Sequence, residues 1–190
     1  MRNLPNLLTL LRVLLIPVFA WLVFFSAVPN RVAWALLVFA AASFTDWLDG
    51  HLARKWQVIS DFGKIADPLA DKLLVLSALA ALTWLDPYRL VWPIFALIAL
   101  RELGITILRE VYKRRGIIMP ADKLGKLKTV LQMAGIILAL ALWAWKPDAA
   151  ASAAARTAAH LWFGAVTLLT LASGLNYLRP KKFTPAEEAK

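Results

Sequence analysis

Apolar residues in this 190-residue chain fall into six long runs, separated by short polar or turn-forming connections. Each run approaches the roughly 20 residues that a helix needs to cross the hydrocarbon core of a bilayer. The connections carry proline, glycine, asparagine and aspartate, which end helices and form turns. The pattern predicts an all-α, polytopic membrane protein with six transmembrane helices, near residues 6–26, 31–52, 64–85, 89–112, 126–146 and 156–178.

The first apolar run, Leu7 to Phe25, has to be distinguished from a secretory signal peptide. It is longer than the apolar core of such a peptide, which has roughly 7–15 residues. It also contains Arg12 and Pro17, which interrupt the run. We therefore expect a retained membrane helix at this position.

The composition points in the same direction as the pattern. Apolar residues make up 61% of the chain and its mean hydropathy is +0.64, whereas soluble domains contain about 45–50% apolar residues. The chain has no cysteine, which excludes disulfides, thiolate metal sites and a cysteine nucleophile. Its length predicts a single membrane domain over residues 1–190.

The formal net charge of +10 comes from 22 basic and 12 acidic residues. Because the basic residues cluster between apolar runs, we expect membrane lipid as the partner and no nucleic acid. Six spans place both termini on one side, and eighteen of the 22 basic residues fall on that side. The four on the other side are Arg31, Arg89, Lys146 and Arg156. The positive-inside tendency then predicts cytoplasmic termini.

Four aspartates interrupt the apolar pattern, Asp46 and Asp49 late in the second run and Asp67 and Asp71 early in the third. An unpaired aspartate at the centre of a membrane helix costs roughly 2.5–3.5 kcal/mol, so the four need a compensating partner. Spacings of three and four residues place each pair on one helix face, and a turn through residues 57–63 can bring the pairs together. Such an all-oxygen set suits two Mg²⁺ or Mn²⁺ ions on the cytoplasmic side.

Small residues accompany the first aspartate pair. Gly50 and Ala53 lie on the same helical face as Asp46 and Asp49 and would let a phosphate-bearing ligand approach the backbone. Arg54 would supply a fixed positive charge for a phosphate. In the structural alternative, the small residues permit close helix packing and the aspartates pair with nearby cations. Simple pairing does not require two acidic pairs at helical spacing, so the binding interpretation is favoured.

These positions form the pattern Asp46-x2-Asp49-Gly50-x2-Ala53-Arg54-x8-Gly63-x3-Asp67-x3-Asp71. The pattern resembles the signature of the CDP-alcohol phosphotransferase family and matches all eight of its fixed positions. Further segments are similar to family members that accept glycerol phosphate: Leu4 to Arg12, Arg101-Glu102-Leu103 and Gly125-Lys126-x-Lys128-Thr129. The resemblance covers nearly the whole chain, although the part after about Gly135 is only generically hydrophobic.

The resemblance implies the six-helix fold of that family and a homodimer in the bacterial cytoplasmic (inner) membrane, with its active site facing the cytoplasm. It implies that the four aspartates bind two divalent metal ions and that Asp71 also serves as general base. It further implies that Gly50, Ala53, Arg54 and Ser60 lie along the CDP-lipid, and that Asn6 and Thr9 contact its nucleotide or diphosphate.

The implied reaction moves a phosphatidyl group from CDP-diacylglycerol to sn-glycerol 3-phosphate and releases CMP. The phosphate of the acceptor needs cations that neither the metals nor the donor occupy. The candidates are Arg101, Arg109, Lys126 and Lys128, with Glu102 as the residue that orients Arg101. In the alternative interpretation, Arg101 and Glu102 form a purely structural pair inside the membrane.

Two other functions remain open at this point. A CDP-alcohol transferase could use inositol phosphate, serine, choline or phosphatidylglycerol as acceptor, and the aspartate motif does not separate these. The additional cations favour glycerol 3-phosphate. A divalent-cation transporter would need acidic residues at the bilayer midplane on several helices, whereas here both pairs lie near one face on successive helices.

Overall fold

The computed structural model describes residues 4–56, 61–118, 123–176 and 184–185, and the side chains of residues 10–45, 70–112, 114–117 and 124–175. Within these ranges the chain is almost entirely helical. The helices are α1 (Leu4–Phe24), α2 (Arg31–Trp56), α3 (Asp61–Trp84), α4 (Trp92–Arg114), α5 (Lys123–Trp145), α6 (Pro147–Ala150) and α7 (Ala153–Asn176).

Each of the six predicted runs is a long helix in the structure, and α6 is a single additional turn. The largest difference lies at the end of α2, which continues four residues past the predicted end to Trp56, and α3 begins at Asp61, three residues before the predicted start. Part of the predicted turn, including Gly63, is therefore helical. An acidic residue such as Asp61 favours a helix start because it complements the partial positive charge there.

The described chain divides into two compact units. Unit 1 comprises residues 1–89 and 136–156, and unit 2 comprises residues 90–135 and 157–190. Helix α5 contributes its second half to unit 1 and its first half to unit 2. The expectation of a single membrane domain over residues 1–190, which rests on the length of the chain, remains a prediction.

Unit 1 is built on α1, α2 and α3, which contact one another in all three pairs. Its interior contains Phe19 and Phe39, whose ring centroids lie 5.8 Å apart, and both side chains are fully buried. Small residues such as Ala35, Ala42 and Ala78 are also fully buried, which lets the helix backbones approach closely. The two helices that carry the four aspartates, α2 and α3, thus pack together in the core of unit 1.

The connection between α3 and α4 is fastened within unit 1 by two long-range hydrogen bonds. The Tyr88 hydroxyl donates to the carbonyl oxygen of Ala139 at 2.9 Å, and Arg156 Nε donates to the carbonyl oxygen of Pro87 at 2.7 Å. Burial raises the pKa of Tyr88 to about 12, so its hydroxyl keeps its proton and remains a donor at physiological pH.

Unit 2 contains α4, the first half of α5, and α7 from residue 157 onward. The indole nitrogen of Trp162 on α7 donates to the carbonyl oxygen of Leu131 on α5 at 3.1 Å. Gly135 accommodates this indole, since a Cβ atom at Gly135 would collide with Trp162 Nε1. After Gly116, which has a φ of 71°, β1 (Ile117–Ile118) pairs antiparallel with β2 (Thr184–Pro185).

The surface of the described helices is strongly apolar. Among the described helices, two segments are long and apolar enough to cross a membrane, Leu124–Trp145 and Ala153–Leu175. The core helix of a soluble protein is mostly buried, whereas only 33% and 28% of these segments are. Large apolar side chains are also exposed on the shorter apolar segments Leu10–Phe24 and Arg31–Thr45. Such a surface is suited to lipid.

Candidate functional site

The backbone places the two aspartate pairs at matching heights on α2 and α3. Asp49 lies seven residues before the end of α2 and Asp67 six residues after the start of α3, which is about 9–11 Å along either helix. Asp46 and Asp71 each lie ten residues from those same ends, or about 15 Å. Because α2 and α3 contact each other and four residues join them, all four positions fall at the same end of unit 1.

Asp71 is the one aspartate of the motif whose side chain the structure describes. Its Oδ2 atom lies 2.8 Å from Lys72 Nζ, and 34% of the Asp71 side chain and 21% of the Lys72 side chain are exposed. Ala70, directly before it, is buried. Asp71 therefore sits at the boundary between the packed interior and solvent, where a carboxylate can meet a water-soluble substrate.

The other motif residues are described by their backbone alone. Asp46, Asp49, Gly50, Ala53 and Arg54 lie on α2, Asp67 lies on α3, and Asn6 and Thr9 lie on the first turns of α1. Ser60 lies outside the described residues. Their predicted contacts to the donor lipid and to metal remain predictions.

The residues present fit the divalent ions that the motif implies. Four carboxylates on two contacting helices, at matching heights, form an all-oxygen donor set, which hard cations such as Mg²⁺ and Mn²⁺ prefer. Among the side chains that the structure describes, no three His, Cys, Asp or Glu residues come together. Three of the four implied ligands lie outside that set.

A second group of charged side chains occurs in unit 2, and it contains two of the four cations predicted for the acceptor. Lys128 on α5 forms an ion pair with Glu102 Oε1 on α4, and Arg101 Nη1 lies 3.6 Å from the same oxygen. Arg101 Nη2 donates to Ser173 Oγ on α7 at 2.6 Å. We call Arg101, Glu102, Lys128 and Ser173 the buried polar cluster, because their side chains are at most 11% exposed.

The other two predicted acceptor-binding cations are exposed. Arg109 lies on α4, two turns beyond Arg101, and Lys126 lies on α5, two residues before Lys128. Exposed cations of this kind can reach a soluble anion directly. The structure thus separates the four predicted cations into a buried pair that shares Glu102 and an exposed pair.

Sequence reasoning missed Ser173. It stands in a long apolar run where a single serine carries no distinctive signal, and its partner Arg101 is 72 residues away. Arg12, which interrupts the first apolar run of the sequence, is completely buried in unit 1. Arg12 lies one turn after Thr9 on α1, so it is a buried charged residue of unit 1.

A cavity of about 470 Å³ lies in unit 1 between the α1–α2 connection and the end of α5, lined by residues that include Arg31 and Trp143. Asp46 is 15 residues beyond Arg31 on α2, or about 22 Å along the helix. The cavity is therefore at the opposite end of α2 from the aspartates and is not part of the candidate active site.

We expect Glu102→Gln to destabilise the protein by about 3–5 kcal/mol. The substitution keeps the shape of the side chain but leaves Arg101 and Lys128 without their shared buried carboxylate, and removing one partner of a buried ion pair typically has an effect of this size. Thermal unfolding of the purified protein in detergent measures it.

Glu110→Gln is the matched control for that experiment. Glu110 lies on the same helix and pairs with Arg114 at 3.2 Å, but 45% of the Glu110 side chain and 74% of the Arg114 side chain are exposed. Exposed helical pairs contribute only about 0.3–0.5 kcal/mol. Equal unfolding temperatures of the two variants would show that the buried polar cluster does not stabilise unit 2.

Comparison with known proteins extends over almost the entire chain. The profile of the CDP-alcohol phosphatidyltransferase family matches residues 2–173. A relative from Mycobacterium tuberculosis (strain ATCC 25618 / H37Rv), named "Probable phosphatidylglycerophosphate synthase", is 41% identical over 181 residues, covering 93% of this chain and 80% of the relative. A relative from Escherichia coli (strain K12), named "CDP-diacylglycerol--glycerol-3-phosphate 3-phosphatidyltransferase", is 40% identical over 183 residues, covering 93% of both.

The family match includes α2 and α3 with all eight positions of the aspartate motif, as well as the buried polar cluster. It confirms the resemblance on which the sequence interpretation rests. The chain belongs to the CDP-alcohol phosphatidyltransferase family.

Proposed function

We propose that this protein transfers the phosphatidyl group of CDP-diacylglycerol to the 1-hydroxyl of sn-glycerol 3-phosphate, giving phosphatidylglycerophosphate and CMP. The observation that carries the proposal is the complete aspartate motif on two contacting helices of unit 1. Two relatives that are 40–41% identical over 93% of the chain have names stating this activity. The protein is accordingly an enzyme of phospholipid biosynthesis.

We infer that Asp46, Asp49, Asp67 and Asp71 hold two divalent ions, Mg²⁺ or Mn²⁺. When bound, such ions neutralise the diphosphate of the donor and stabilise the departing CMP. Gly50 and Ala53, one and two turns beyond Asp46, have minimal side chains that leave room for the donor beside the backbone. Arg54, Ser60, Asn6 and Thr9 complete the proposed contacts to the CDP-lipid.

Asp71 is the proposed general base. Its carboxylate takes the proton of the acceptor hydroxyl as that oxygen attacks the phosphorus atom attached to diacylglycerol. The bond from this phosphorus to the bridging oxygen breaks, and CMP leaves with the electron pair. The partial exposure of Asp71 supports this role, since a fully buried carboxylate would not meet a soluble alcohol.

The acceptor's phosphate is proposed to bind the cations of unit 2. Arg109 and Lys126 are exposed and can contact the phosphate from solvent. Arg101 and Lys128 share one carboxylate, Glu102, so the three groups together carry one net positive charge. A fixed positive charge of this kind attracts a dianionic acceptor and disfavours an uncharged one.

For the membrane arrangement, we propose that α1 to α5 and α7 all span the bacterial cytoplasmic (inner) membrane. Both termini and the aspartate end of unit 1 would face the cytoplasm, as the distribution of basic residues predicts. A homodimer remains part of the proposal. The apolar, lipid-suited surface of the described helices supports the membrane placement.

An acceptor panel tests the proposed reaction. Purified protein is mixed with CDP-diacylglycerol, a divalent ion and one acceptor at a time: glycerol 3-phosphate, inositol phosphate, serine, choline or phosphatidylglycerol. We expect CMP release only with glycerol 3-phosphate, together with a lipid product that carries two phosphates. CMP release with another acceptor alone would replace the proposed substrate, and no CMP with any of them would remove the enzymatic assignment.

A further inference from the structure

Helix α7 contributes a polar contact to Arg101 that neither the sequence motif nor the family match assigns. Ser173 is completely buried, and its Oγ accepts a hydrogen bond of 2.6 Å from Arg101 Nη2. The next residue, Gly174, has no side chain, and the arginine stem lies over this position: a Cβ atom there would be 3.4 Å from Arg101 Cγ and 3.7 Å from Nε.

The two terminal nitrogens of Arg101 thus have different partners, one on α7 and one on its own helix, α4. Nη2 binds Ser173 on α7, and Nη1 lies 3.6 Å from Glu102 Oε1 on α4. Because a guanidinium is planar and rigid, holding two of its nitrogens fixes the direction of the whole group. Lys128 binds the same glutamate oxygen, so the orientation of Arg101 and the position of Lys128 depend on one connected set of contacts.

Ser173 differs in this respect from the buried hydroxyl residues beside it on α7. Thr167 and Thr170 are buried as well, but each donates its hydroxyl to a carbonyl oxygen of its own helix, that of Phe163 and Val166 respectively, at 2.7 Å. Such a bond pairs the hydroxyl within its own helix and does not orient a side chain on another helix. Among these three residues of α7, Ser173 alone contacts a charged group on another helix.

We propose that Ser173 is a positioning residue for acceptor binding, which holds the Arg101 guanidinium in the orientation that the phosphate of glycerol 3-phosphate requires. This inference rests on the proposed function, in which Arg101 belongs to the acceptor subsite. Fixing the side chain before the acceptor arrives removes the entropic cost of ordering it during binding. Fixing Arg101 therefore raises the affinity for the acceptor. Binding of the donor, proposed to occur at the aspartate end of unit 1, does not depend on the orientation of Arg101.

The test compares Ser173→Ala, Ser173→Thr and Thr170→Val in steady-state kinetics with both substrates. Ser173→Ala removes the hydroxyl that Arg101 uses, and we expect KM for glycerol 3-phosphate to rise about tenfold, as a lost hydrogen bond to a charged group predicts. KM for CDP-diacylglycerol and kcat should stay within about twofold of wild type. Ser173→Thr keeps a hydroxyl and should restore most of the acceptor affinity, and Thr170→Val, which also deletes a buried hydroxyl, should leave both KM values unchanged.

A double-mutant cycle with Arg101→Lys shows whether Ser173 acts through Arg101. Lysine keeps the positive charge but lacks the planar fork, so Ser173→Ala should change KM for the acceptor by less than about twofold on that background. An unchanged acceptor KM in the Ser173→Ala protein would overturn the inference. So would an equal rise of both KM values with a lowered unfolding temperature, because that pattern indicates a purely structural role.

Failure of the inference is distinguishable from failure of the proposed function. If wild-type protein releases no CMP with glycerol 3-phosphate, the acceptor assignment itself is wrong and the inference falls with it. If wild-type protein uses glycerol 3-phosphate and the Ser173→Ala protein has the same KM for it, the function stands and only the role of Ser173 is refuted.

Discussion

Asp71→Asn is expected to lower turnover by about 10²–10⁴-fold, the range typical for loss of a general base. An asparagine amide has nearly the shape of the carboxylate but does not accept the proton of the acceptor hydroxyl, and it is a weaker metal ligand. The lost ion pair with Lys72 is partly exposed and should alter stability by less than about 1 kcal/mol. The measurement is CMP release per enzyme with both substrates saturating.

Asp86→Asn provides the control for that substitution. Asp86 is also paired with a cation, Arg89 at 2.9 Å, and lies in the α3–α4 connection with 63% of its side chain exposed. Its replacement should leave turnover unchanged. If the Asp71→Asn protein folded normally and retained more than about a tenth of wild-type turnover, Asp71 would not be the base.

Removal of divalent ions is expected to abolish activity completely and reversibly. The fixed positions of the motif hold four carboxylates and one cation, Arg54, so without metal the aspartates would repel the donor diphosphate. EDTA should reduce CMP release to background, and excess Mg²⁺ or Mn²⁺ should restore it. EDTA already saturated with Mg²⁺ serves as the control for effects of the chelator itself.

Ion binding can also be measured without turnover. Mn²⁺ should raise the unfolding temperature of the wild-type protein, because a ligand that binds the folded state stabilises it. The shift should be much smaller in a variant that combines Asp46→Asn with Asp49→Asn. Full activity in EDTA, or equal shifts in both proteins, would contradict the two-metal proposal.

The sequence predicted the long helices well, because their apolar runs are long and their connections carry strong helix breakers. Gly116 illustrates this, since its φ of 71° is a conformation that glycine adopts easily. The end of α2 was predicted least accurately, since the polar residues around Trp56 and Asp61 are compatible with both helix and turn. Boundaries of this kind depend on local capping and packing, to which hydropathy is insensitive.

Contacts between distant segments were beyond sequence reasoning. The two-residue ladder between Ile117–Ile118 and Thr184–Pro185 is too short to show an alternating pattern. The sequence predicted Arg101 as a cation for the acceptor phosphate and Glu102 as the residue that orients it, but their contacts with Lys128 and Ser173 follow only from the packing of the helices. The spacing of the aspartate motif predicts which residues of each pair share a helix face, and the meeting of the two pairs remains a prediction.

The matching heights of the aspartates on α2 and α3 have a consequence for how the donor lipid arrives. Positions about 9–15 Å from the helix ends lie near the depth at which a phospholipid headgroup meets its acyl chains, if those ends face the cytoplasm. CDP-diacylglycerol could then reach the enzyme by lateral diffusion, without its chains leaving the bilayer. Its effective concentration would be its mole fraction among the surrounding lipids, so diluting the membrane with inert phospholipid would slow catalysis even when the bulk amount of substrate is constant.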